Sequence, residues 1–205
     1  HRADEALLRF DAFLSGLPAG IQLFSLLQTN PALLDLLATI MGAAPRLATI
    51  ITRRPHVFDG LLDPALVSEL PTKAYLEARL NAFLEGARLH EEVLDRLRIF
   101  AAEQKFLIGI RLLTGAIDAR RAGKAFSDLA DLTVGAALAA VEEEFALRHG
   151  RVAGGRVGIL GMGKLGSREL TAGSDIDLIL LYDHDEEDEI DIRTRGQFAR
   201  SEEHT

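Results

Sequence analysis

The chain has 205 residues and a formal net charge of −8, with 48% hydrophobic and 6% aromatic residues and neither cysteine nor tryptophan. This length allows one large domain or two small ones. The absence of cysteine excludes a disulfide scaffold and a cysteine zinc site, and is typical of a reducing cytosol, so a cytoplasmic location is expected. The acidic balance argues against broad binding to nucleic acid. No apolar run approaches the ~18 residues of a membrane span, so no membrane partner is expected.

Residues 1–150 are predicted to be helical. Apolar residues recur at helical spacing until Gly16–Pro18 interrupts the first run. Asn30 and the proline after it form an N-cap followed by proline at the first helical position, which opens a helix over Ala32–Met41. Pro45 begins another short helix, which ends before Pro55. We expect these short helices to pack together as a bundle.

A longer amphipathic run follows. Its apolar positions keep a 4-3-4-3 spacing that predicts one helical seam: Leu76, Leu80, Phe83, Ala87, His90, Leu94, Leu97 and Ala101. We interpret His90 as a packing residue at the edge of this contact rather than as a catalytic one. A further helix is predicted to end at Gly115, and the last long helix to end at His149-Gly150.

Two β-rich apolar runs then bracket a turn rich in glycine and serine. The runs Val157–Leu160 and Ile176–Tyr182 predict two short strands paired in one small sheet. Asp175 and Asp177 stand at the opening of the second run, where a side-chain period of two puts both carboxylates on one face. Two acids so placed repel each other, and a hydrated divalent cation relieves the repulsion. The pattern therefore predicts catalytic Mg²⁺ ligands beside a phosphate-binding turn.

Two other phosphate motifs compete for this stretch. Residues Gly161–Gly166 satisfy G-x-G-x-x-G, but only Ser167–Ser174 separates them from the acid pair. A parallel crossover needs roughly 10–12 residues, which argues against a dinucleotide-binding unit. Residues Gly158–Lys164 also fit G-x-x-x-x-G-K, but Leu165 replaces the serine or threonine that would hold Mg²⁺ in a P-loop.

The turn supplies the predicted nucleotide-binding residues. Gly166 and Ser167 are expected to hold phosphates through N–H and hydroxyl donors. Gly163 belongs to the same set, although a role in tight backbone geometry is the stronger interpretation. Lys164 is expected to neutralise phosphate, with an ordinary surface lysine as the alternative. Ser174 is expected to orient Asp175 or bind phosphate, with a cap as its alternative.

Strand, Gly-Ser turn, short helical piece and a strand with Asp-x-Asp together resemble the DNA polymerase beta-like nucleotidyltransferase superfamily. The stretch GMGKLGSRELTAGSDIDLILLYD, Gly161–Asp183, is similar to the active site of the glutamine synthetase adenylyltransferase/adenylyl-removing family. The helical region between that family's two catalytic halves is resembled by LFSLLQTNPALLDLLATIMGAAPRLATIITRRPHVFDGLLDP. The helices just ahead of its second nucleotidyltransferase unit are resembled by FAAEQKFLIGIRLLTGAIDARRAG. The predicted fold class is thus mainly α with a small α+β part, in which a helical bundle precedes the start of a truncated nucleotidyltransferase sheet.

The resemblance implies transfer of AMP from ATP to a tyrosine of glutamine synthetase, with Mg²⁺ as cofactor and the PII signal protein as a further partner. The upstream helices favour the adenylylating half of the family. Two alternatives stay open. One is the adenylyl-removing half, which uses phosphate to release ADP from the modified synthetase. The other is a catalytically incomplete fragment that binds a partner.

Residues 151–183 are taken as the start of the catalytic domain and residues 184–205 as an acidic, disordered or foreign tail. His184–Asp191 contains six acids, with no apolar pattern after it. The resemblance implies a third carboxylate on a later strand, and Ile192–Thr205 offers no counterpart. Since the chain also begins with His1, we expect a piece of a longer protein that folds in its helical part and shows no transfer activity alone.

Overall fold

A computed structural model describes residues 2–17, 20–55, 57–58, 70–152 and 154–184. Helices make up most of this part of the chain, and a two-stranded sheet follows them. The helices are α1 Arg2–Ser15, α2 Gly20–Thr29, α3 Pro31–Ala43, α4 Pro45–Arg53, α5 Lys73–Leu84, α6 His90–Leu113, α7 Ala119–His149 and α8 Gly163–Gly166. The strands are β1 Arg156–Gly161 and β2 Leu178–Asp183. The predicted fold class, mainly α with a small β-containing part, is confirmed.

The first four helices pack around one apolar cluster, which is completed by the C-terminal half of α6. Its fully buried members include Phe13, Leu37, Ile51 and Phe106. The predicted start of α3 is confirmed, because its first residue is the proline after Asn30. The Asn30 side chain does not cap α3, however; its amide donates instead to the Leu26 carbonyl at 3.3 Å.

The seam predicted as one helix is wrong, because it is divided between α5 and α6. The chain turns at Gly86, whose φ of +79° lies in the left-handed region that favours glycine. Arg96 of α6 holds this corner together, donating to the carbonyls of Phe83 at 3.0 Å and Glu85 at 2.8 Å. These bonds satisfy carbonyls that the end of α5 leaves without helical partners. His90 is the first residue of α6 and is half-buried.

Helices α5, α6 and α7 enclose a second apolar cluster. Helical residues such as Leu80, Phe126 and Leu129 share it with Leu165 and Leu170, which belong to the turn between the strands. Helix α7 ends at His149, before Gly150 with a φ of +81°, as the sequence predicted. The turn that carries the predicted site is therefore anchored in the helical core.

The two strands pair with each other in antiparallel register. Val157 lies opposite Tyr182 and Leu160 opposite Ile179. Both strands form where they were predicted, although β2 begins at Leu178 rather than at Ile176. Antiparallel neighbours have no parallel crossover between them, which agrees with the argument against a dinucleotide-binding unit. Every residue of β2 is exposed.

No single helix in the described ranges is both long and apolar enough to cross a membrane. One pair separated by a 114° bend, Leu23–Thr29 with Pro31–Ala43, passes that test by length and composition alone. The predicted tail lies outside the described residues, apart from His184.

Candidate functional site

The predicted site is a short turn between antiparallel strands. Helix α8 occupies its first part, and Leu165 in this helix is only 6% exposed. Gly161 lies so close to Leu165 that a Cβ on the glycine would be 2.8 Å from the leucine Cδ2. A Cβ on Gly166 would be 2.9 Å from the Gly161 carbonyl oxygen. The glycines of this motif are thus required by the tight path of the backbone.

The acid pair lies directly before β2 and faces the glycine turn at one point. The Met162 N–H donates to the Asp177 carbonyl at 2.8 Å, which extends the pairing of the strands by one bond. Gly163 has a φ of +51°, and a Cβ there would lie 2.9 Å from Oδ2 of Asp177. The structure therefore places the Asp177 carboxylate against the backbone of the turn, which the sequence pattern did not specify.

Both carboxylates are exposed, and neither has an ion-pair partner among the described residues. No cluster of three or more metal-ligating side chains occurs in the described part of the chain. Mg²⁺ in nucleotide enzymes is commonly held by one or two protein carboxylates, with substrate phosphates and water as its other ligands. Asp175 and Asp177 are exposed hard oxygen ligands whose carboxylates form no ion pair with any described residue, so they fit that requirement.

The predicted phosphate ligands already have partners within the turn. The N–H groups of Gly166 and Ser167 donate to the carbonyls of Met162 at 3.1 Å and Gly163 at 3.0 Å. The Ser167 hydroxyl lies 3.0 Å from Glu169 Oε2. A phosphate at this turn would share or replace these bonds, so their assignment as nucleotide ligands stays a prediction.

Lys164 and Ser174 differ in whether their side chains already have a partner. The Lys164 side chain is exposed and forms no ion pair within the described ranges, which leaves its charge available to an anion. Ser174 accepts a hydrogen bond from the Thr171 N–H at 3.0 Å and thereby caps the turn that leads into Asp175. This contact agrees with the alternative role given to Ser174, that of a cap. It fixes the path of the chain just before the acid pair.

Two contacts from distant helices reach this turn, and sequence reasoning missed both partners. Nη1 of Arg168 lies 2.6 Å from Oδ2 of Asp131 in α7. The Arg46 side chain of α4 lies against Gly173, where a Cβ would be 2.6 Å from the arginine Nε. Neither contact has a local signature, because the partners are far apart in the sequence.

Most of the chain, including this turn, is similar to known proteins. A family model described as "Glutamate-ammonia ligase adenylyltransferase" matches residues 34–200. A protein of Mesorhizobium japonicum is 80% identical over 184 residues, which is 90% of this chain and 19% of the relative. A protein of Brucella melitensis is 75% identical over 188 residues, which is 92% of this chain and 19% of the relative. A protein of Bradyrhizobium sp. is 48% identical over 182 residues, which is 89% of this chain and 18% of the relative.

All three relatives carry the name "Bifunctional glutamine synthetase adenylyltransferase/adenylyl-removing enzyme". The chain spans about a fifth of the length of the curated relatives it matches.

Proposed function

The chain belongs to the glutamate-ammonia ligase adenylyltransferase family, and we therefore propose that the protein transfers AMP from ATP to a tyrosine of glutamine synthetase. One observation carries the proposal. The Asp177 carboxylate is exposed, lies against Gly163 of the glycine-rich turn, and forms no ion pair with any described residue. An acid pair and a lysine beside such a turn suit the binding of a metal–triphosphate complex.

In this proposal Asp175 and Asp177 would hold Mg²⁺, which would supply charge neutralisation for the triphosphate and for the reacting oxygen atoms. Lys164 binds a non-transferred phosphate, and the Ser167 hydroxyl donates to a phosphate oxygen. The tyrosine oxygen bonds to the α-phosphorus as the bond between that phosphorus and the α–β bridging oxygen breaks. The hydroxyl proton passes to solvent water, and the bridging oxygen leaves with pyrophosphate. The protein contributes mainly placement, which accounts for a large share of the rate in phosphoryl and nucleotidyl transfer.

The second candidate function is adenylyl removal, which the names of the relatives support. Those proteins carry both activities in their names, while this chain matches about a fifth of each. This chain contains one acid pair in the pattern Ser-Asp-x-Asp. We propose the adenylylating direction because the helices ahead of the turn resemble those before the second catalytic unit of the family.

The test separates the two directions within one full-length protein. Asp177→Asn is compared with Asp183→Asn, a control at the far end of β2 whose carboxylate is bound by Arg156 at 2.8 Å. One assay follows labelled AMP from ATP to glutamine synthetase. The other follows release of ADP from the adenylylated synthetase in the presence of phosphate. We expect Asp177→Asn to reduce the first rate by orders of magnitude and to leave the second unchanged, with the control near wild type in both.

Loss of only the phosphate-dependent rate would assign this chain to adenylyl removal. No change in either rate would contradict catalysis at this acid pair and leave a partner-binding module as the better account.

A further inference from the structure

Arg168 immediately follows the predicted phosphate-binding residues, and its backbone is strained. Its φ of +62° makes it the one described non-glycine residue in the left-handed region. In that conformation the Cβ of an L-residue crowds the following carbonyl oxygen, which costs free energy. Strained residues persist where the surrounding structure holds them and are common at functional sites.

Helix α7 supplies two carboxylates to the Arg168 side chain. Asp131 Oδ2 lies 2.6 Å and Asp128 Oδ1 lies 3.9 Å from the guanidinium. Lys73 of α5 lies 3.5 Å from Asp131 and Lys124 of α7 lies 2.6 Å from Asp128, so the two lysines, the two acids and Arg168 form a charge network against one face of α7. Arg168 is thus tied to a helix rather than available to a nucleotide.

The backbone of the same residue rests on a glycine of α7. A Cβ on Gly123 would lie 2.9 Å from the Arg168 carbonyl oxygen and 3.2 Å from Cα of Glu169. Glycine inside a helix is less favourable than alanine. The close approach of the turn gives a physical reason for a glycine here. Gly135, further along α7, has no such neighbour within 4 Å.

Apolar burial fixes the turn on either side of this contact. Leu165 and Leu170 are 6% and 5% exposed and belong to the cluster that contains Phe126 and Leu129 of α7. Three residues before Arg168 and two after it, the chain is therefore anchored in the helical core. Gly163, which touches Asp177, lies two residues before the first of these anchors.

From these contacts we propose that α7 positions the active-site turn, with Gly123, Asp131 and Arg168 as positioning residues for nucleotidyl transfer. The inference rests on the proposed function for its catalytic consequence, but the contacts do not depend on it. Helix α7 holds the backbone after Ser167 in one place, so that the turn and the Asp177 carboxylate keep a fixed separation. The helical region is then a part of the catalytic apparatus and not only a segment that precedes it.

The experiment compares Gly123→Ala with Gly135→Ala in the full-length protein. Both changes improve the helix propensity of α7, but only the first places a methyl group against the turn. We expect kcat for adenylyl transfer to fall about 10- to 100-fold in Gly123→Ala, since small displacements of reacting groups cost large factors in rate. Gly135→Ala keeps the wild-type kcat. Hydrogen exchange at residues 163–170 is expected to be faster in Gly123→Ala alone.

A second set of four variants tests the ion pair without changing Gly123. Arg168→Ala and Asp131→Ala should each lower kcat, the double variant should be no worse than either, and Arg168→Lys should recover part of the loss. Additive losses in the double variant would overturn the pairing, and an unchanged kcat in Gly123→Ala would overturn the positioning role.

Exchange rates keep this proposal distinct from the proposed function. If Asp177→Asn left both activities intact, the assigned chemistry would fail, and faster exchange at residues 163–170 in Gly123→Ala would still show that α7 holds the turn. Unchanged exchange in that variant would refute the contact itself.

Discussion

Replacing Gly163 with alanine should remove most of the activity while leaving the protein folded. Gly163 has a φ of +51°, which costs alanine roughly 1–2 kcal/mol. That is a minor part of the ~5–15 kcal/mol that stabilises a typical domain, so the fold should survive. The new Cβ would lie 2.9 Å from Oδ2 of Asp177. Favourable non-bonded separations begin near 3.5 Å, so the carboxylate must move by about 0.5 Å or more.

A displacement of this size at the proposed metal ligand is expected to lower kcat about 10- to 100-fold. The matched control is Gly158→Ala in β1, where nothing lies within 4 Å of the new methyl group. Initial rates of adenylyl transfer and thermal melting of the full-length protein would be measured for both variants. Equal rates in Gly163→Ala and Gly158→Ala would refute the reasoning, because they would show that the placement of Asp177 against the turn does not matter.

Three further predictions concern stability. Leu165→Ala should lower the free energy of unfolding by about 2–5 kcal/mol, because this buried side chain anchors the turn in the second cluster; an unchanged denaturation midpoint would contradict that anchoring. Burial lowers the pKa of Arg111, whose Nη1 donates to the Leu107 carbonyl at 2.9 Å but whose Nε has no hydrogen-bond partner in the described structure. Arg111→Met should therefore raise the melting temperature, and a lower melting temperature would show that the guanidinium contributes more stability than its burial costs.

Bonds from the Arg88 N–H and the Arg96 side chain hold the pKa of Glu92 below its ordinary value of 4.5. The ionised carboxylate therefore stabilises the fold above pH 4.5, and this contribution is lost as the pH falls through the lowered pKa. Glu92→Gln should reduce the melting temperature near neutral pH and match the wild type in strong acid; a constant difference across that range would contradict the linkage.

Local signals in the sequence were sufficient for most of the fold. The starts of α3 and α4 follow from proline at the first helical position. The ends of α6 and α7 follow from Gly115 and Gly150, whose φ values are positive. Both strands follow from short β-rich runs, and the Asp-x-Asp spacing at the opening of the second run located the acid pair. Each of these features depends on neighbouring residues alone.

Features that depend on distant side chains could not be predicted in the same way. The apolar spacing continues through Gly86 without a shift, so periodicity could not reveal the corner that Arg96 stabilises. The approach of Gly123 to Arg168 joins two segments that share no motif. Arg46 is separated from Gly173 by most of the chain. Such contacts are set by tertiary packing, for which a single sequence carries no periodic signal.

The central claim is that Asp175 and Asp177 hold the metal of an adenylyl-transfer site beside the glycine turn. Its most direct test is anomalous X-ray scattering from crystals of the full-length protein grown with Mn²⁺ and a non-transferable ATP analogue. We predict an anomalous peak at about 2.0–2.2 Å from carboxylate oxygens of both residues, with the triphosphate over Lys164 and Ser167. A triphosphate bound elsewhere, with no metal on either carboxylate, would contradict the account.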